Sequence, residues 1–171
     1  MAEFNSAENL NMNLAENFST DVMTGGLDER MFLYFRLSGS MKKADGVDII
    51  VSFLMESGVK MILKDLDQAL QRGAKIRILT GNYLGITQPS ALYLIKRKLG
   101  DQVDLRFYND PKRSFHPKAY MFHYATYSEM YIGSSNVSRS ALTSGIEWNY
   151  RFNSKTDPES YQKFYETFED L

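Results

Sequence analysis

The pattern of apolar and polar positions divides the chain near residue 27. Residues 1–26 are polar and rich in asparagine, and they end at Gly25-Gly26, so they predict an arm or a partly disordered leader. Apolar residues at helical spacing within this stretch leave a short docked segment as the alternative: Leu10, Leu14 and Phe18. From residue 27 to residue 171 the apolar pattern continues without a linker rich in proline or glycine, which predicts one domain.

The first part of this domain alternates between helical and extended patterns. Apolar residues after Asp28, a favourable helix N-cap, predict a helix that ends near Lys43. Further elements follow in alternation, with strands predicted at residues 46–54, 75–80 and 103–108 and helices at residues 56–72 and 89–99. This order is typical of parallel strands joined by right-handed helical crossovers.

The second part of the domain has a different pattern. Two short extended segments, residues 119–124 and 129–132, are joined by a tight turn, and a further strand is predicted at residues 146–152. A terminal helix begins at Asp157 or Pro158 and carries aromatic residues on one face: Tyr161, Phe164, Tyr165 and Phe168. The predicted fold class is therefore α/β, with a mixed, largely parallel β-sheet flanked by helices on both faces.

Composition narrows the chemistry that this domain can perform. The 171 residues are 43% hydrophobic and 24% charged, which is ordinary for one folded domain. The absence of cysteine excludes disulfides, thiolate catalysis and cysteine-ligated metal centres, and it fits a cytoplasmic protein. No apolar run could span a bilayer and no secretory signal is visible, so we expect no membrane association. Because the formal net charge is -1, nucleic-acid binding would need a local basic surface.

Three polar features in the second part carry candidate chemistry. His116 and Lys118 stand two residues apart at the entry to a strand, so they can converge on one ligand. The sequence GSSN, from Gly133 to Asn136, follows another strand, and Glu147 stands on the next one. We expect these side chains to meet at one end of the sheet, where open α/β sheets bind ligands.

These residue types suit attack on a phosphate ester. A neutral imidazole such as that of His116 is a nucleophile near neutral pH, and Glu147 can hold the ring and stabilise the cation that forms. Lys118 supplies a positive charge, and Ser134 and Asn136 supply neutral donors for an anion. Each feature also has a plainer interpretation, such as a structural histidine, an ordinary turn or a carboxylate paired with any nearby cation.

The segments FHPKAYMF, YIGSSNVSRSAL and GIEWN resemble the phospholipase D superfamily, whose signature is H-x-K followed by a Gly-Ser-x-Asn turn. The similarity extends from about residue 27 to the end of the sequence and points to nuclease-like members with one motif per chain. Some of these form the N-terminal domain of helicase-type or restriction-type proteins. The family often has an aspartate five residues after the lysine, where this sequence has His123.

The resemblance implies a role for each motif residue. His116 matches the nucleophile that forms a phosphohistidine intermediate, and Lys118 and Asn136 match the phosphate-binding pair. Ser134 matches an accessory polar residue of the glycine turn, and Glu147 matches the carboxylate that holds the histidine ring. Because the family mechanism uses two histidines, the resemblance implies a homodimer with the active site at its two-fold interface, and it implies no metal and no cofactor.

Basic residues near the motifs are candidates for nucleic-acid contact. Lys112 and Arg113 directly precede His116, and Arg139 follows the GSSN motif. The loop of residues 81–87 follows the end of a strand, so it either borders the site or is a plain connection.

The predicted function is that of a metal-independent phosphodiesterase, a DNA nuclease-like domain that uses a phosphohistidine intermediate. The sequence has no G-x-x-x-x-G-K-S/T motif, so the motor of a larger helicase-type protein would lie beyond residue 171. The alternative is a DNA-binding and dimerisation module with weak or no turnover. A lipid phosphodiesterase ranks below both, because no amphipathic membrane helix is evident.

Overall fold

The computed structural model describes residues 20–171, which contain seven strands and five α-helices. The strands are β1 (Val22–Gly25), β2 (Gly46–Val51), β3 (Lys75–Thr80), β4 (Val103–Phe107), β5 (Lys118–His123), β6 (Ser128–Gly133) and β7 (Ile146–Asn153). The helices are α1 (Leu33–Met41), α2 (Glu56–Gln71), α3 (Pro89–Leu99), α4 (Arg139–Leu142) and α5 (Pro158–Glu169). Short 3₁₀ turns occupy Glu29–Met31, Tyr83–Gly85 and Gly100–Gln102.

The seven strands form one sheet in the order β1-β7-β6-β5-β2-β3-β4. β2, β3 and β4 pair in parallel and are joined by α2 and α3, as the alternating pattern predicts. The other four pairings are antiparallel, so β5 and β7 run against the remaining five strands. The predicted mixed α/β class is confirmed, and parallel hydrogen bonding is confined to the half of the sheet that carries the helical crossovers.

Helices cover both faces of the sheet. On β2, Val47, Ile49 and Val51 contribute to the core under α1, α2 and α3, whereas Ile50 belongs to the second core on the opposite face. α5 closes that second core with Tyr161 and Phe168, two members of its predicted aromatic face. Among the described residues, no helix is long and apolar enough to cross a membrane.

The N-terminal edge of the sheet differs from the prediction. Val22–Gly25 pairs antiparallel with β7, and Met23 is buried, so the sheet begins inside the segment that the sequence predicts as an arm. A strand of four residues is too short to give a clear alternating pattern, which explains the difference. Residues 1–19 of the predicted arm, which include the alternative of a docked segment, lie outside the described residues.

Two predicted elements end differently in ways that affect the site. β2 stops at Val51 rather than at residue 54, because Ser52 donates a hydrogen bond to the carbonyl of Pro117 and Phe53 donates one to Asn136. The first predicted helix is divided at Phe32, whose extended backbone separates the turn capped by Asp28 from α1. Because β2 ends early, the residues that follow it, Ser52 and Phe53, lie among the loops that carry the motifs.

Candidate active site

The predicted motifs lie at the edge of the sheet where the parallel strands end. Val51, the last residue of β2, pairs with Lys118, the first residue of β5. On the other side of β5, Ala119 pairs with Ile132, which places Gly133 beside Lys118. The H-x-K and GSSN motifs therefore meet at one edge, as the sequence predicts for the carboxyl ends of parallel strands.

His116 and Lys118 are in direct contact. Nζ of Lys118 lies 2.9 Å from each ring nitrogen of His116 and 3.0 Å from its carbonyl oxygen. His116 is exposed, whereas Lys118 is only 8% exposed. The ammonium group is thus held from inside the protein against an imidazole that faces solvent.

Burial and charge change the acidity of both groups. Burial, followed by the positive charge of Lys118, lowers the pKa of His116 below its ordinary value. Burial also lowers the pKa of Lys118, and the negative charge of Glu147 opposes this change. A lower pKa favours the neutral form of His116, which is the form that can attack an electrophile.

The glycine turn is fixed against the start of β7. Oγ of Ser134 donates a short hydrogen bond to the carboxylate of Glu147 and accepts one from the N–H of Trp148 at 3.1 Å. The N–H of Ser134 donates to the carbonyl of Trp148 at 3.0 Å. A Cβ at Gly133 would overlap that same carbonyl oxygen, so this close approach of β6 and β7 requires glycine.

Asn136 is buried beside the end of β2. Its Oδ1 accepts a hydrogen bond from the N–H of Phe53 at 3.2 Å, which leaves Nδ2 as a donor for a ligand. The preceding Ser135 is held by Asn149, whose Nδ2 donates to Ser135 Oγ at 2.9 Å, and by its own bond to the carbonyl of Ala141 at 3.1 Å. Both ends of the GSSN turn are therefore anchored.

The position of Glu147 differs from its predicted role. Within the described chain no hydrogen bond joins Glu147 to His116, and its carboxylate is bonded to Ser134 instead. The reason is the close pairing of the glycine turn with β7, which places Ser134 next to Glu147. Within one chain, Glu147 therefore orients Ser134 and opposes the effect of burial on the pKa of Lys118, rather than holding the His116 ring.

A family model with the description "Cardiolipin synthase, PLD-like domain" matches residues 38–171 of this chain. The chain belongs to this PLD-like family. The matched residues include both motifs and Glu147, so family membership confirms the resemblance on which the site was predicted. The predicted enzyme class, a phosphodiesterase or nuclease, agrees with membership of this PLD-like family. A comparison with curated proteins finds no match.

Solved structures share the fold of this PLD-like domain. NucT from Helicobacter pylori has a TM-score of 0.63 at 14% identity, covering 84% of this chain and 90% of that one. Nuc from Salmonella typhimurium, a phospholipase D family member, has a TM-score of 0.57 at 19% identity, covering 78% and 84%. Polyphosphate kinase from Porphyromonas gingivalis has a TM-score of 0.56 at 16% identity, covering 77% of this chain and 23% of the kinase.

Two residues of the PLD-like site were not singled out from the sequence. The ring of Tyr83, in the loop of residues 81–87, packs on the ring of His116 with centroids 4.2 Å apart. Ser52 follows β2 and bonds the Pro117 carbonyl between the two motif residues. The sequence signal for both residues is their position just after the carboxyl ends of parallel strands. The contact of Tyr83 with His116 confirms the expectation that the loop of residues 81–87 borders the site.

The predicted basic residues surround the site without bonding to it. Lys112 and Arg113 are exposed on the loop that leads into His116, and the backbone of that loop bonds to Asp110. Arg139 is exposed at the start of α4 and donates its N–H to Ser57. Among residues 20–171, no side-chain bond joins these three residues to the two motifs.

His123, which replaces the usual aspartate of the family, lies at the far end of β5 from His116. Its Nε2 is 2.7 Å from Asp48, and its Nδ1 is 3.0 Å from Ser128. Asp48 also accepts two hydrogen bonds of 2.6 Å from Arg77. His123 is therefore part of a hydrogen-bonded network that ties strands together, away from the motif edge.

A cavity of about 350 Å³ opens beside the two motif residues on the α5 face of the sheet. His116, Lys118 and Gly133 form its polar end. Apolar residues of β5, β6 and α5 line the rest: Met121, Met130, Ile132, Phe164 and Phe168. The motif residues thus border a space large enough to admit part of a ligand.

Proposed function

We propose that this PLD-like domain is a metal-independent phosphodiesterase that cleaves DNA through a phosphohistidine intermediate. The observation that carries the proposal is the contact between Lys118 and the exposed ring of His116, next to the anchored GSSN turn. A nucleophile whose neutral form is favoured, an ammonium group and the neutral donor Nδ2 of Asn136 are groups that attack on a phosphodiester requires. The hydroxyl of Ser134 donates to Glu147, so it orients the turn rather than the phosphate.

The proposed reaction begins with a phosphodiester anion that draws Lys118 away from the imidazole. Nδ2 of Asn136 adds a hydrogen bond to a phosphate oxygen. A ring nitrogen of His116 attacks phosphorus, the bond to the leaving oxygen breaks, and that oxygen takes a proton from a second histidine. Water then attacks the phosphohistidine, the second histidine takes its proton, and free His116 returns.

The second histidine is proposed to be His116 of a second copy in a two-fold dimer. Support for such an interface comes from apolar side chains on one face of β7 beside the site. Ile146 is 84% exposed and Trp148 is 73% exposed, and Tyr150 continues the same face. Large exposed apolar groups in a row are typical of protein interfaces. In this dimer, two lysines and two asparagines would stabilise the phosphate charge.

DNA is the proposed substrate because positive charge flanks the site. Lys112, Arg113 and Arg139 are exposed on segments that lead into or out of the two motifs, where they can contact the phosphate backbone. From the family resemblance alone, we propose in addition that the domain is the N-terminal part of a larger helicase-type protein. A cytoplasmic setting remains the one that a cysteine-free chain fits.

The test is cleavage of DNA and of a bis-aryl phosphodiester in excess chelator. We expect the wild type to cleave both, and His116→Ala to lose at least about 10³-fold in kcat, because the nucleophile is removed. His123→Gln is the matched control, since it changes the other histidine of the chain and leaves the motifs intact. Activity that survives in His116→Ala would refute the assignment of the nucleophile.

One observation favours a second candidate function, a DNA-binding and dimerisation module with weak turnover. Within residues 20–171 no carboxylate bonds to His116, and Nζ of Lys118 lies 2.9 Å from both ring nitrogens. If this arrangement persists when phosphate binds, the site retains DNA without cleaving it. Salt-sensitive DNA binding by a wild type that forms no phosphohistidine would identify this function.

A further inference from the structure

The loop that follows β3 is built against the segment that carries His116. This loop, residues 81–87, contains the 3₁₀ turn Tyr83–Gly85 and reaches α3. The ring of Tyr83 lies over the ring of His116, with centroids 4.2 Å apart and planes inclined by 50°. Tyr83 packs against the His116 ring, and Lys118 lies within hydrogen-bond distance of its nitrogens.

Two further contacts fix the distance between this loop and the His116 segment. Ser52 bonds to both, because its carbonyl accepts from the N–H of Tyr83 at 3.4 Å and its hydroxyl donates to the carbonyl of Pro117 at 3.2 Å. Gly81 packs directly on the neighbouring Phe115, since a Cβ at Gly81 would lie 2.7 Å from the Phe115 ring. The contacts of Ser52 and Gly81 thus fix the position of Tyr83 relative to His116.

The backbone next to Tyr83 is strained. Leu84 has φ 52° and ψ 22°, the left-handed conformation that favours glycine, and it is the non-glycine residue with positive φ among residues 20–171. Its side chain is exposed, so packing of Leu84 itself does not explain the conformation. The strained turn places Tyr83 over the histidine, and strain of this kind is common where a site requires a particular geometry.

We propose that Tyr83 is a positioning residue that orients the His116 ring for attack, in the place that the sequence assigned to Glu147. This inference rests on the proposed phosphodiesterase function. The lone pair of an imidazole nitrogen lies in the plane of the ring, so a second ring packed against the imidazole, with centroids 4.2 Å apart, restricts the direction in which that lone pair points. When the ring becomes cationic on phosphorylation, the π face of Tyr83 also attracts its charge.

The ring of Tyr83, and not its hydroxyl, performs this role. The hydroxyl of Tyr83 has no hydrogen-bond partner in the described part of the chain, whereas its ring contacts His116 directly. Tyr83→Phe keeps the aromatic face, and Tyr83→Ala removes it. The two variants therefore separate orientation of the histidine from proton transfer by a phenol.

The kinetic test measures kcat and KM for a bis-aryl phosphodiester. We expect Tyr83→Ala to lower kcat by about 10-fold to 100-fold with KM changed less than about threefold, because misplacement of a reacting group affects the chemical step. Tyr83→Phe should stay within about threefold of the wild type in both constants. Tyr93→Ala is the matched control, because it removes an equally large ring that is 75% exposed on α3. Wild-type kcat in Tyr83→Ala would overturn the proposal.

A second measurement tests the contact without any catalysis. The chain has two histidines, so the ring protons of His116 are assigned in an NMR spectrum by their loss in His116→Ala. The Tyr83 ring current should shift these protons in the wild type and in Tyr83→Phe, and the shift should disappear in Tyr83→Ala at an unchanged melting temperature. If the melting temperature of Tyr83→Ala is below that of the wild type, Tyr83→Leu is measured in its place.

The kinetic constants and the NMR signals answer separate questions, one about catalysis and the other about the contact between Tyr83 and His116. A wild type that does not cleave phosphodiesters would refute the proposed function, and the ring signals would still decide whether Tyr83 packs on His116. Identical His116 signals in all Tyr83 variants would overturn the positioning role, whether or not the domain is active.

Discussion

At the scale of single residues, the site depends on how Lys118 acts on His116. The ammonium group is nearly buried and touches both ring nitrogens, so its charge disfavours protonation of the imidazole. The same charge is available to a phosphate once it arrives. Under the proposed function, the charge of Lys118 adds to burial in favouring neutral His116 before a phosphate binds, and it would stabilise the phosphate once bound.

Removing the charge of Lys118 should raise the pKa of His116. Burial and the lysine charge both lower this pKa, and Lys118→Gln removes the second cause. In the wild type we expect the acid limb of kcat/KM to lie below pH 6.5, the ordinary midpoint of histidine, because neutral imidazole is the reactive form. NMR titration of the His116 ring measures the change in pKa.

The control for this titration is Lys112→Gln, which removes an exposed charge four residues before His116. It should leave the pKa of His116 close to the wild-type value. A His116 pKa that stays constant or falls in Lys118→Gln would show that the contact does not control the histidine. Whether or not the pKa of His116 rises, Lys118→Gln should lower kcat by about 10²-fold to 10³-fold, because the positive charge that stabilises the phosphate is lost.

At the scale of elements, the close pairing of β6 with β7 shapes the glycine turn. Gly133 lies against the backbone of Trp148, and this contact brings Ser134 to Glu147. Main-chain packing thus fixes the position of the turn, and this position determines where the side chains of the turn lie. Away from the motif edge, Asp48 of β2 bonds to Arg77 of β3 and His123 of β5 and so reinforces the pairing of these three strands.

Gly133→Ala should destabilise the domain by about 1–3 kcal/mol, because the added methyl group forces β6 away from β7. Urea denaturation measures the free energy of unfolding. Gly39→Ala is the matched control, since Gly39 lies in α1 with nothing within 4 Å of an added Cβ. It should stabilise the domain by about 0.5–1 kcal/mol, as helix propensity predicts. A Gly133→Ala variant as stable as the wild type would contradict the close packing.

The network around Asp48 should make stability depend on pH. Burial raises the pKa of Asp48, but hydrogen bonds from His123 and Arg77 outweigh it, so the net pKa lies below the ordinary value. A lowered folded-state pKa contributes stability above the unfolded pKa, about 3.9, and this contribution is lost as pH falls through the lower folded value. Asp48→Asn should therefore cost about 3 kcal/mol at pH 7.

Urea denaturation from pH 7 to pH 2 compares wild type and Asp48→Asn. The difference in unfolding free energy should be constant near neutrality and should shrink below about pH 4, where the Asp48 carboxylate of the unfolded wild type binds a proton before that of the folded protein. A difference that stays the same down to pH 2 would contradict a charged Asp48 in the folded protein.

The sequence predicts elements and motifs better than contacts between them. Helices such as α2 and α3 have regular apolar spacing, and the H-x-K and GSSN motifs are local patterns, so both are readable along the chain. The partner of Glu147 and the packing of Tyr83 on His116 depend on which loops meet across the sheet edge. These contacts join residues 13 and 33 positions apart, and no local spacing encodes them.

At the scale of the whole molecule, one chain supplies half of the proposed reaction. It carries one nucleophile, one lysine and one glycine turn at the motif edge, and the leaving oxygen still needs an acid. The exposed apolar face of β7, formed by Ile146, Trp148 and Tyr150, borders that same edge. A second copy docked there would cover this face and bring a second His116 to the phosphate.

Trp148→Glu should dissociate this dimer and abolish cleavage, because a charge at the centre of an apolar interface disfavours association. Sedimentation velocity measures the mass, and the bis-aryl phosphodiester assay measures the activity of the same samples. Tyr93→Glu, which places a charge on the exposed face of α3, is the control and should remain dimeric and active. A wild type that is monomeric and active would contradict the shared site.

If His116 is the nucleophile, it becomes covalently attached to phosphorus during turnover, and rapid quenching can trap this adduct. Wild-type domain mixed with a phosphodiester and quenched in base, where phosphohistidine survives, should yield a peptide with a phosphoryl adduct on His116 by mass spectrometry. His116→Ala should yield none, and His123→Gln should yield the same adduct as the wild type. Turnover without any adduct on His116, or an adduct on another residue, would contradict the account.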